Sequence, residues 1–186
     1  MSAPAQRVTI WNTFFRLAWS ESKRVFELSM NCTSNNQFSP PGGTLGEEAS
    51  HVLAALAFCV FSIEARANHL IEELREAGTI GFDLANAARW LPPKEKWFLL
   101  PALAGVRVQI SSASGPHQAV AQLCDLRNDL MHVSYDQLAA KLPTAQTALS
   151  YFERFVEAME DMNVILGRHQ NPDPEVLRIG RFQCAQ

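Results

Sequence analysis

The sequence predicts an all-α fold, an up-and-down helical bundle around one long central helix, with an irregular N-terminal extension. Three observations predict it. Apolar residues recur at three- and four-residue steps after residue 44, with no convincing alternating strand pattern. Turn formers stand at the boundaries of the periodic stretches: Gly78, Pro92-Pro93, Gly115-Pro116 and Gly167. Of 186 residues, 47% are apolar and 19% charged, enough to bury one sizeable core.

Each element follows from local signals. Residues 1–43 are the least legible: Val8 to Trp19 fits a helix or a strand pair, and Asn31 to Gly43 is a loop by its Asn, Ser, Pro and Gly content. Thr44-Leu45-Gly46-Glu47 has capping-box spacing, and a helical pattern then runs to Glu76, with Gly78 where a C-terminal cap belongs. The first half of that helix is apolar nearly all round, so several neighbours must bury it, while the second half carries Glu64, Arg66, His69, Glu72, Glu73 and Arg75. Short helices are predicted over Phe82–Leu91 and Lys94–Leu103, the second started by Pro93. Pro116 opens a helix through about Val133. The last helix spans Thr144–Leu166, with Leu149, Phe152, Val156, Met159, Asn163 and Leu166 inward. The expected division is an extension over 1–43, a helical domain over 44–167 and a tail over 168–186.

Charge and cysteine content narrow the function. A net charge of −3 argues against a general nucleic-acid coat, because neutralising phosphates takes lysine and arginine. A local basic site is still open: Arg89, Lys94, Lys96, Arg107 and Arg127 face only Glu95 and Asp125 between residues 89 and 127. Scattered, solvated charge reads equally well. Cys32, Cys59, Cys124 and Cys184 form no paired metal-ligand spacing, so no metal and no cofactor is expected. A cysteine in an apolar helical run such as Cys59 suits a reduced, cytoplasmic setting. Asn12 and Arg16 interrupt any signal-peptide core, and the run Ala49–Ile63 is too short to span a bilayer, so no membrane association is expected.

The chemistry-bearing stretch is Arg127-Asn128-Asp129-Leu130-Met131-His132. At 100° per residue, Leu123, Leu126, Leu130 and Val133 form a core seam. Asn128 then points away from the core, with His132 one turn above it and Arg127 alongside. Cys124, Met131 and Tyr135 fall on the same outer face, and a half-apolar outer face predicts a second element or subunit. The bland alternative is a surface pair, since a histidine near a helix C-terminus is favoured by the helix dipole.

Arginine, a polar residue and then histidine at this spacing resembles the R-x4-6-H motif of HEPN domains, which are all-helical and include many metal-independent ribonucleases. The stretch Ser62-Ile63-Glu64-Ala65-Arg66-Ala67-Asn68-His69-Leu70 and the connector Leu91–Pro101 resemble segments of a poorly characterised HEPN-like group. The likeness covers about residues 47–166, and of its segments the Arg/His motif is the functional signature. It implies a homodimer in which two motif helices face each other, here through Asn128, Met131, His132 and Tyr135. Each chain supplies one motif histidine, so the general acid and base of RNA cleavage need two copies. The resemblance makes His132 the proton-transfer residue, Arg127 the phosphate clamp and Asn128 an orienting group. Glu64 and Asn68 support from the neighbouring helix, with Glu64 positioned to hold Arg127; a solvated or structural Glu64 is the alternative.

Two function classes follow. One is a metal-independent endoribonuclease, a toxin-like or defence effector with RNA as substrate and an antitoxin as partner. The other is a non-catalytic dimerisation, nucleotide-binding or partner-binding module, which the acidic net charge favours. His51, His69 and His117 read as structural or solvated. Glu153, Glu157, Glu160 and Asp161 read as a solvated acidic face. Trp90 and Trp97 could stack a base, but between helices they read first as packing.

Overall fold

The computed structural model describes residues 10–31 and 46–168. Among these residues there are seven helices and no strands: α1 (Ile10–Asn31), α2 (Glu47–Glu76), α3 (Phe82–Arg89), α4 (Pro93–Leu103), α5 (Pro116–Met131), α6 (Tyr135–Lys141) and α7 (Ala145–Ile165). The all-α expectation holds, and α2 has the predicted start and stop. The capping box is not described in full, since Thr44 lies outside the described residues; Gly46 stands at the N-cap with no side-chain cap.

Three helices stop by one device. After α2, Gly78 at φ +70° donates to Arg75 O, and Thr79 N–H reaches back to Leu74 O. After α7, Gly167 donates to Val164 O and Arg168 to Asn163 O, and the end of α4 repeats the pattern with Gly105 and Val106. These paired bonds satisfy carbonyls that the helix end would orphan, and they need a left-handed residue that glycine supplies without strain.

The largest departure from the sequence reading is α1. Residues 10–31 are not part of an irregular extension. They form a 22-residue helix whose Trp11, Phe15, Ala18 and Val25 are buried in the common core. Arg24 meets Glu47 and Glu21 meets His51 at one end, while Ser62 Oγ donates to Trp11 O farther along, so α1 runs antiparallel to α2. Phe15 packs against Phe152 and Phe155 of α7, which closes the core on a third side. The helical signal there was obscured by Asn12, Thr13 and the loop-like stretch that follows. Residues 1–9, 32–45 and 169–186, including most of the expected loop and tail, lie outside the described residues.

Helix α2 is the axis. It packs against α1, α3, α4, α5 and α7, and Val52, Leu56, Val60, Ile63, Leu70 and Ile71 are buried along it. By length and composition alone its 30 residues are long and apolar enough to cross a membrane, longer than the run weighed from sequence. Its buried positions are also those of a core helix. Burying each large apolar side chain contributes about 1.5–3 kcal/mol, so the five-sided packing accounts for an all-round apolar sequence. Arg66 is the charged exception, buried with its guanidinium over the Trp11 ring and bonded to Asn163 at 2.8 Å. Burial pulls its pKa down to about 10. This contact explains why Asn163 sits in the otherwise apolar inward stripe of α7.

Candidate functional site

Helix α5 carries the motif, and its two ends differ. At the far end, the helix stops at Met131, and His132 is its C-cap (φ −111°), closing on Asp129 O through the backbone N–H. The predicted continuation through Val133 is therefore two residues too long. His132 closes α5 as its cap rather than lying inside it, and Tyr135 belongs to α6. A register extrapolated along α5 cannot place Tyr135, and its side chain lies outside the described ones. Asn128, Asp129, Met131 and His132 are exposed, Met131 at 68%. Arg127 is half-buried and donates from Nη1 to Asn128 Oδ1 at 3.0 Å, while its Nε is buried without a hydrogen-bond partner.

Cys124, expected on this outer face, is buried instead. The 100° rule places it correctly around the helix but cannot foresee that α4 lies against that side, tied there by Lys94 to Asp125 at 2.7 Å. Burial, with Asp125 adjacent, pushes the Cys124 thiol up to about 12, so it is a neutral core group. Leu123 and Leu130 are buried as predicted, with Leu126 and Val133 half-buried.

The supporting pair on α2 is engaged elsewhere. Glu64 does not hold Arg127: its carboxylate accepts from Lys96 Nζ at 3.1 Å. Lys96 is a lysine at 2% exposure, and a buried ammonium needs a counter-charge. Asn68 is half-buried, with its Oδ1 buried and lacking a hydrogen-bond partner. The structure thus leaves Asn128 and His132 exposed at the end of α5, with the half-buried Arg127 bonded to Asn128, and sets Glu64 to a different task.

The basic segment is also largely spent. Arg89 pairs with Glu72, Lys94 with Asp125 and Lys96 with Glu64, so three of its five cations face carboxylates, while Arg107 is exposed. Among the described residues, no three His, Cys, Asp or Glu side chains gather as metal ligands would.

Comparison of the chain with family models, with curated proteins and with solved structures gives no match. The functional reading therefore rests on these residues and their surroundings.

The near end of α5 holds what the sequence reading undervalued. His117 in the first turn is buried at 3% exposure, accepts from Trp97 Nε1 at 3.0 Å on Nδ1, and has Asp161 Oδ2 2.9 Å from Nε2. Burial lowers its pKa, and the bond and charge of Asp161 partly oppose that. Asp161 is thus not a member of a merely solvated acidic face. No local signal links residues 97, 117 and 161; only the packing of three helices does. The two connector tryptophans also separate: Trp97 is fully buried, whereas Trp90 is 84% exposed.

Proposed function

We propose that the chain is a HEPN-type, metal-independent endoribonuclease whose site is completed when the α5 ends of two copies meet. The observation that supports this reading is the exposure of Asn128 and His132 at the end of α5, with Arg127 bonded to Asn128. There Met131 offers an apolar contact. An imidazole titrates near neutrality and a guanidinium is a permanent planar donor, which suit proton transfer and phosphorane stabilisation respectively.

In the proposed reaction, one neutral His132 takes the proton from a ribose 2′-OH as O2′ attacks phosphorus. Arg127 meets the charge on the pentacoordinate phosphorane. The protonated His132 of the second copy gives its proton to the departing 5′-oxygen. The products are a 2′,3′-cyclic phosphate and a 5′-hydroxyl, and the two histidines have exchanged roles. Asn128, bonded to Arg127, orients the guanidinium; RNA is the substrate, and an antitoxin is the expected protein partner. A reducing cytoplasmic setting belongs to the same proposal and is supported by the buried free thiols of Cys59 and Cys124.

The deciding experiment is RNA cleavage with EDTA present, comparing the wild type with His132→Ala and Arg127→Ala. The proposal expects losses of about 10²–10⁴-fold for the histidine variant and 10²–10³-fold for the arginine variant. Equal rates in all three proteins would remove it. A second reading, a non-catalytic dimerisation or partner-binding module, is favoured by the pairing of Arg89, Lys94 and Lys96 with carboxylates, which neutralises three of the five cations of that segment. On that reading Met131→Glu changes the sedimentation behaviour while no variant changes RNA.

A further inference from the structure

Trp97, His117 and Asp161 come from α4, α5 and α7 and meet in one hydrogen-bonded line. An indole N–H can only donate, so His117 Nδ1 must offer a lone pair to it. The neutral ring then carries its hydrogen on Nε2 and donates to Asp161 Oδ2. The tautomer follows from the partners alone. An imidazolium has N–H on both nitrogens and cannot accept from Trp97.

We propose that His117 is an acid-operated latch: its protonation breaks the Trp97 bond and loosens the hold of α5 on α4, while the Asp161 contact becomes an ion pair that holds α5 to α7. The groups around the ring support this direction. α4 presents the uncharged rings of Trp97 and Phe98, and α7 presents the carboxylate of Asp161. A proton gained at Nδ1 therefore meets a donor on the α4 side and an anion on the α7 side. Burial of the ring lowers its pKa and sets the latch below the ordinary histidine range, with Asp161 limiting the shift. Asp161 itself is 46% exposed and gives water access to one end of the line.

The loosening matters because α4's other tie to α5, Lys94 to Asp125, lies two residues before Arg127. The latch therefore controls how firmly the helix flanking the candidate site is held, and it stands whether or not the chain cleaves RNA.

NMR of the full chain tests it. The ring nitrogens of His117 and the indole N–H groups of Trp97 and Trp90 are followed from about pH 7.5 to about pH 5, with exposed Trp90 reporting the intrinsic exchange rate. The expected result is an Nε2–H tautomer at neutral pH. As His117 titrates, the protection of Trp97 relative to Trp90 should fall roughly five- to tenfold, the loss of one hydrogen bond. Trp97→Phe should raise the His117 midpoint by removing the donor aimed at its lone pair, and Asp161→Asn should lower it. An Nδ1–H tautomer would overturn the proposal. So would unchanged Trp97 protection while His117 titrates, or a His117 that stays neutral until the chain unfolds.

Discussion

The two ends of α5 each present a histidine, and they show opposite relations between sequence and setting. His132 stands in a local spacing pattern, exposed at the end of α5. His117 stands in no motif, yet both its nitrogens are committed to partners from other helices. They are 15 residues apart, about 22 Å along an α-helical path at 1.5 Å per residue. A spacing pattern finds residues whose partners lie on the same helix or in a second molecule. It does not find a residue whose partners are brought by tertiary packing.

Substitutions can break this contrast, and the largest effect is expected at the buried end. Trp97→Ala removes a fully buried indole and strands His117, and should cost about 3–5 kcal/mol, read as a lower midpoint in urea denaturation. Glu64→Gln should come next, at about 1–3 kcal/mol, because it leaves the buried Lys96 ammonium without its counter-charge. Lys96→Met removes the charge as well as the bond and should cost less than Glu64→Gln; a larger cost would show that the pair stabilises in its own right.

Acid should reveal the same asymmetry with a smaller effect. His117 and His69 both have folded-state pKa values lowered by burial, so the unfolded chain binds protons more readily. Their contribution is complete above the unfolded histidine value near 6.5 and is lost as pH falls through the lower folded values. Urea midpoints should therefore fall between pH 7 and about pH 5, and His117→Gln should flatten that slope. At the exposed end, His132→Ala should move stability by less than about 0.5 kcal/mol, which separates any loss of RNA cleavage from unfolding. A large destabilisation by His132→Ala would erase the contrast.

How much was legible follows from the same physics. Periodicity and Pro/Gly punctuation are local, and they located α2, α4, α5 and α7 to within a few residues. The capped ends at Gly78 and Gly167 were visible because the left-handed position selects the residue type. α1 was legible only as one of two alternatives over Val8–Trp19, since its polar Asn12, Thr13 and Arg16 dilute the stripe formed by Trp11, Phe15, Ala18 and Val25, and α6, only seven residues long, was not. At the site, the grouping of Arg127, Asn128 and His132 was legible because it is local. The burial of Cys124, the diversion of Glu64 to Lys96 and the His117 line depend on where α4 lies, which no single stretch encodes.

The order of α1 and α2 has a consequence for biosynthesis. α2 is apolar enough to be mistaken for a membrane span, and while it is being made none of its C-terminal neighbours exists. α1 is already present, antiparallel to α2 and bearing the aromatic residues that cover part of it. Because chains emerge N-terminus first, the helix that reads least clearly in the sequence acts as a cover in waiting, shielding α2 before the rest of the bundle arrives.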